Sequence, residues 1–270
     1  MWDELVFGSM KEDLRGVLWA LKGGTLLNLV FLGVSFSIPS ASMDNAVVIP
    51  ARIFFVISAY RCFFPNRYKD NVVLHDTILS STLVTRLIST LSEIVYIFLF
   101  AYVIGSLNVD RIFWIDALAT WMVVQVTISQ VCVWWAILGS APKLYYYEEL
   151  GWWIIFAINT LTSAYLLSVS ELEGGAALLL WLNVVFGVFY LPWQILHLRS
   201  LLREAQAPDS ARRPDGLSAA LRETLFDRRQ TTEYEAWGGW IGVIWMVSYW
   251  AVLIPGWMMV IVEVLGRSRP

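Results

Sequence analysis

Histidine, cysteine and lysine are scarce in this chain, and each scarcity removes a class of chemistry. Among 270 residues there are two His (His75, His197), two Cys (Cys62, Cys132) and four Lys (Lys11, Lys22, Lys69, Lys143). Two thiols cannot make a disulfide framework, and Cys132, inside an apolar run, reads as packing. Two His are too few for a membrane di-iron desaturase or hydroxylase, and a bis-His haem pair would consume both. No Cys-x-x-Cys or His-Glu-x-x-His is present to hold zinc, so neither a metal nor a cofactor is expected. No Lys falls within an apolar run, which argues against a retinal Schiff base. There is no Thr-Val-Gly-Tyr-Gly filter, no P-loop and no Gly-x-Ser-x-Gly elbow. Arginines at every third position, the mark of a voltage sensor, are missing too, as is any N-glycosylation sequon.

Charge is also short. Only 15% of the residues are charged and 58% are hydrophobic, against about 25% and 45–50% in soluble domains. The net charge of −3 gives no basis for binding nucleic acid. Mean hydropathy of +0.61 with 15 Trp fits a bilayer protein with aromatic belts. The fold class expected is therefore an all-α membrane protein, a bundle of about seven transmembrane helices.

A span needs about 20 mainly apolar residues. The runs that qualify are Gly23–Met43, Ala46–Phe64, Leu83–Asn108, Ala117–Ala141, Leu150–Ser170, Gly174–Leu196 and Trp237–Val262, the last with a kink expected near Pro255. Residues 1–22 read as an N-terminal interfacial segment rather than a cleavable signal. Residues 23–198 hold the first six spans. Residues 199–235 form a polar loop, with a short surface helix expected over Ser210–Arg229. Residues 236–270 hold the seventh span and a tail. With the N-terminus inside, 15 of the 19 Lys and Arg face the cytoplasm, so N-in, C-out is favoured. A bacterial inner membrane and a eukaryotic endomembrane fit this pattern equally.

Against this apolar background the stretch Arg52–Tyr96 stands out. Arg52 and Arg61 interrupt the second span; Arg86 and Glu93 interrupt the third. A charge at mid-bilayer costs on the order of 3 kcal/mol on insertion scales, so these groups must face other helices or water. Arg86, Ser89, Thr90 and Glu93 share one helical face. Pairing the inner ends of the two spans sets Arg61 level with Arg86, and Arg52 within about a turn of Glu93. Two contacts are expected from this: an Arg52–Glu93 ion pair, and an Arg61/Arg86 basic patch able to hold an anionic head group. The plainer alternative is that these charges fix helix register and reach lipid phosphates.

Other polar stripes recur. Asn183, Gly187, Tyr190, Gln194 and His197 line one face of the sixth span; Asn159 and Ser163 lie one turn apart on the fifth; Gln125, Ser129 and Cys132 lie on the fourth. Interhelical hydrogen bonds explain such stripes, and so does a cavity with Glu93 as its only buried carboxylate. Asp76 reads as a helix N-cap, or as a carboxylate at the mouth beside His75. Gly238-x-x-x-Gly242 reads as close helix packing, and Tyr145-Tyr146-Tyr147-Glu148-Glu149 as an interfacial belt.

Around Ser92-Glu93-Ile94-Val95-Tyr96 the chain resembles, in general plan, the small integral-membrane terpene cyclases, which have a similar size and span number and use buried acidic residues. The resemblance covers that stretch and the plan alone. It implies a membrane-embedded enzyme acting on a lipid or isoprenoid-like substrate, with Glu93 as acid or base. Two other classes fit the sequence: a transporter or receptor-like protein with a polar pathway, and a structural subunit of a membrane complex. Expected partners are membrane lipids, a hydrophobic small molecule or another membrane protein.

Overall fold

Backbone N–H and C=O groups have no water to bond in a bilayer, so apolar runs of this length must fold as helices. The computed structural model describes residues 14–68, 71–139, 141, 143–206 and 216–267. It contains seven helices long and apolar enough to cross a membrane: α1 (Arg15–Ser35), α2 (Asn45–Phe63), α3 (Thr82–Leu107), α4 (Phe113–Gly139), α5 (Lys143–Val169), α6 (Gly174–Ala205) and α8 (Gly239–Leu265). A short helix, α7 (Leu217–Phe226), lies between the last two. The chain is an all-α multi-pass membrane protein.

Helices adjacent in sequence pack side by side from α1 to α6, and α8 closes the bundle against α1, α2, α3 and α6. Buried aromatic and aliphatic side chains fill the middle, among them Phe54, Phe55, Phe100, Ile104 and Met258. Capping fixes the α2–α3 hairpin at both ends. Asp44 accepts the Ala46 N–H at 2.9 Å and the Tyr102 hydroxyl at 2.6 Å. Ser81 accepts the Val84 N–H at the start of α3.

Small residues set the closest helix approaches. A methyl group at Gly187 on α6 would collide with the Thr160 hydroxyl on α5 and sit 2.7 Å from Thr160 Cβ. A methyl group at Gly151 on α5 would collide with Ser129 on α4. Gly238 and Gly242 do something other than the helix packing expected of them. Gly238 and Gly239 have φ of +79° and +64°, a left-handed turn into α8, and a side chain on Gly242 would strike the Trp237 carbonyl.

The break in α8 is a π-helical segment, Val247–Val252, just ahead of Pro255. Proline lacks the N–H that would bond the carbonyl four residues back, at Ala251, and its ring crowds that turn. From α1, Asn28 donates to the Trp250 carbonyl at 3.0 Å, satisfying part of the loosened ladder.

One end of the bundle is tied by a small three-stranded ribbon. β1 (Asn66–Arg67) pairs antiparallel with β2 (Val72–Val73), and β2 pairs parallel with β3 (Arg229–Gln230). The link between α2 and α3 is thereby joined to the link between α7 and α8.

Several boundaries differ from the sequence reading. The first span runs Arg15–Ser35 rather than Gly23–Met43, and Ser40–Ser42 is a 3₁₀ turn. Residues 1–13 of the expected interfacial segment lie outside the described residues, and 15–22 belong to α1. Lys22 is accommodated with its ammonium 3.5 Å from the Trp19 ring centre and 4.7 Å from that of Phe63. α5 starts at Lys143, seven residues before the apolar run, and α6 extends to Ala205. Within Ser210–Arg229 the helix covers Leu217–Phe226, and 210–215 lie outside the described residues. Asp76 caps no helix: Ser81 caps α3 and Thr77 the short turn before it.

His75, in the α2–α3 link, is wedged among the rings of Trp19, Phe63 and Phe64. Burial, and then the nearby Lys22 ammonium, holds its pKa below the ordinary 6.5. The folded state thus binds fewer protons than the unfolded one just below that value, so His75 costs stability as pH falls through about 6.5. Thermal unfolding between pH 8 and 5 is expected to show this loss, and a flatter profile in His75→Asn. Gly187→Ala is expected to destabilise by about 1–3 kcal/mol through overpacking, and adding Thr160→Gly is expected to recover part of it in the same measurement.

Candidate functional site

The polar face of α3 is closed by its own two charges. Arg86 and Glu93 lie seven residues apart, roughly two turns. Arg86 Nη1 donates to Glu93 Oε1 at 3.2 Å, and Nη2 donates to Oε2 at 2.8 Å. The fork is bidentate, the strong geometry for guanidinium and carboxylate. From α4, Gln130 completes it: Nε2 donates to Glu93 Oε2 at 2.8 Å, and Oε1 accepts from Arg86 Nη2. From α5, Glu148 Oε1 comes within 3.7 Å of the same Arg86 nitrogen. Arg86, Glu93 and Glu148 are all at least 94% buried, with relative exposures of 3%, 5% and 6%. One guanidinium therefore serves two carboxylates from two helices.

Gly151 explains how Glu148 gets there. It lets α5 press onto Ser129 and Gln125 of α4, and Ser129 donates to the Glu148 backbone carbonyl at 3.3 Å. The neighbouring Glu149 accepts from Gln194 Nε2 of α6 at 2.6 Å and lies 4.0 Å from His197 Nε2.

These groups border a cavity of about 820 Å³, within the roughly 300–1,000 Å³ range of small-molecule sites. Its polar lining comprises Arg61, Tyr68, Arg86, Glu93, Glu148 and Glu149. The Tyr68 ring lies between two guanidinium groups, 5.2 Å from Arg61 and 5.3 Å from Arg86. Aromatic rings share these walls, with Tyr96, Trp152, Phe156, Tyr190, Tyr249 and Trp250 among them and Trp250 5.2 Å from Arg61. Tyr96 and Trp152 stack face to face, 5.7 Å apart and 3° from parallel. Tyr249 and Trp250 reach the cavity from the π-helical segment of α8. Trp193 of α6 and Trp245 of α8 stack at 5.1 Å across the seam between those helices.

Of the residues singled out in the sequence, Glu93, Arg86, Arg61 and Tyr190 meet at this cavity. Gln194 reaches it through Glu149. Four others do not. Arg52 is not the partner of Glu93: it bonds Ser35 Oγ at 3.1 Å and the Ser35 carbonyl at 2.7 Å, and it lies over the Phe36 ring. Glu93 is already engaged by Arg86 and Gln130, so the expected Arg52–Glu93 pair is corrected. Asp76 pairs with Arg228 at 2.8 Å in an exposed loop and is not at the cavity mouth. Asn183 donates to Ser163 at 2.9 Å, joining α6 to α5. Asn159 is fully buried in α5, away from the cavity lining.

Glu93 is also not the only buried carboxylate. Glu148 and Glu149 were missed because they precede the apolar run and sit beside three tyrosines. The signal that could have found them is spacing: Glu148 is one turn before Trp152 and shares its face once the helix begins at Lys143. Among the described residues, no group of three or more His, Cys, Asp or Glu is arranged to hold a metal ion. Compared with known proteins, the chain matches no family model, no curated protein and no solved structure.

A shared counter-ion makes an asymmetric prediction. Arg86→Gln leaves two buried carboxylates uncompensated and is expected to cost roughly 3–5 kcal/mol. Glu93→Gln is expected to cost less, because Glu148 still faces Arg86, and Arg86→Gln with Glu93→Gln is expected to recover part of the loss. Unfolding in detergent measures all three; equal losses for the two single variants would contradict the sharing.

Proposed function

We propose that this protein is a membrane-embedded enzyme that isomerises an unsaturated, isoprenoid-like lipid by acid–base chemistry. The observation that carries the reading is one cavity whose walls combine buried carboxylates with stacked aromatic rings. Such a cavity suits an amphiphile: the tail lies among the rings and the head faces the charged groups.

Two carboxylates in unlike settings fit two roles. Glu93 has both oxygens occupied by N–H donors from Arg86 and Gln130, which suits a fixed proton acceptor. Glu148 faces the Arg86 guanidinium at 3.7 Å and has a side-chain hydrogen bond with Trp152, a looser hold than that on Glu93, which suits a proton donor. In this scheme Glu148 protonates an alkene or epoxide and a carbocation forms on the substrate. The faces of Tyr96, Trp152 and Tyr249 stabilise that cation, and Glu93 removes a proton to restore neutrality. One proton enters and one leaves, so the product is an isomer and no co-reactant is consumed. This extends the resemblance to small membrane terpene cyclases from plan to site. The excess of Lys and Arg on one side supports a cavity mouth facing the cytoplasm.

The test uses the full chain in phosphatidylcholine nanodiscs, incubated with farnesol or its terminal epoxide and followed by gas chromatography with mass detection. A product of unchanged mass and new retention time is expected. Glu93→Gln should slow its formation by about 100-fold or more at temperatures where the variant stays folded, and Arg52→Gln should leave it unaltered. Absence of any isomer, with neither probe bound, would sink the reading.

A further inference from the structure

The cavity holds a second buried guanidinium whose surroundings differ from those of Arg86. Arg61, 3% exposed, lies at the C-terminal end of α2. Its hydrogen bonds go to neutral acceptors alone: Nη1 donates to the Asn66 side-chain oxygen, and Nη2 to the Asn66 carbonyl at 3.4 Å. Its Nε is buried without a partner. Two aromatic faces flank it, Tyr68 and Trp250, each 5.2 Å from Cζ. Among the described residues no carboxylate forms an ion pair with it. Buried charges are as a rule paired, and rings offset only part of the missing counter-charge.

The nearby acids are committed elsewhere. Glu93 and Glu148 share Arg86, and Glu149 faces Gln194 and His197. Arg67 directs Nη1 to the Ala236 carbonyl. Asn66 is itself braced: its amide nitrogen donates to the Ser80 carbonyl at 3.1 Å and to Thr85 Oγ1 at 2.6 Å. The guanidinium is thus held in place at the cavity wall with its charge unmet.

Resting on the reading of the cavity as an amphiphile site, we infer that Arg61 is the subsite for an anionic head group, a carboxylate or phosphate at the end of a hydrophobic tail. Arg86, which the sequence grouped with Arg61 for this task, is excluded from it by its own two carboxylates. A bound anion supplies the counter-charge that the protein does not, and its tail lies along Trp250 and the other rings of the cavity.

Three probes with one tail test the charge of the head: farnesol, farnesoic acid and farnesyl monophosphate, titrated into the full chain in neutral detergent and read by native mass spectrometry and melting temperature. In the natural sequence at least one anionic probe is expected to bind at least about tenfold more tightly than farnesol, the gain from one charge-assisted pair in a desolvated site. The two acids distinguish a carboxylate head from a phosphate head. Arg61→Gln should erase the preference, Arg61→Lys should retain part of it, and Arg52→Gln should leave it whole. Equal binding of all three probes by the natural sequence overturns the inference while the cavity reading stands, and needs no variant to fold. A preference that survives Arg61→Gln moves the head group elsewhere and overturns it too. Binding of none removes both the inference and the reading beneath it.

Discussion

A single guanidinium, Arg86, neutralises the centre of this protein. It takes a bidentate grip on Glu93 of its own helix, shares Gln130 of α4 and faces Glu148 of α5. Three consecutive helices are thereby registered by one side chain. In a low-dielectric interior an unpaired carboxylate is far costlier than a lost apolar contact, so the positions of α3, α4 and α5 along the bundle axis are set here. Glycines then permit the approach that the charges require: Gly151 brings α5 onto α4, and Gly187 brings α6 onto α5.

The aromatic lining of the cavity depends on a different device. A regular helix through residues 247–252 would turn Tyr249 and Trp250 by a different amount. The wider π turn ahead of Pro255 aims both at the cavity. Asn28 braces the loosened backbone from α1, where the close approach is possible because a methyl group at Gly24 would meet Ala251 Cβ at 2.5 Å. The span with the smallest share of buried residues among the seven is thus coupled to the cavity wall.

Much of the architecture was legible from composition, because seven long apolar runs leave little choice but seven helices. The level shared by Arg61 and Arg86 was legible too, since a hairpin aligns the ends it connects. Their neighbours were not. Glu93 pairs along its own helix through two long side chains, which residue spacing alone ranks no higher than a cross-helix partner. Gln130 lies off the Gln125–Ser129 stripe that periodicity picks out, because α4 meets α3 and α5 on different faces. Glu148 and Glu149 were hidden by the hydropathy boundary, which marks where a run becomes apolar and not where the helix begins. Asn183 gave a stripe signal that its interhelical bond to Ser163 accounts for; Asn159 is buried with neither amide atom hydrogen-bonded among the described residues.

The fork between Arg86 and Glu93 closes within one helix, and this bears on how the chain enters a membrane. α3 can leave the aqueous phase as an electrically neutral rod, before α4 or α5 has been made, with its two most costly groups already compensating each other. Glu148 arrives two helices later and meets a cation that is in place. The order of the helices along the chain is then also an order of assembly, in which no charge of this cluster has to wait for a later helix to neutralise it.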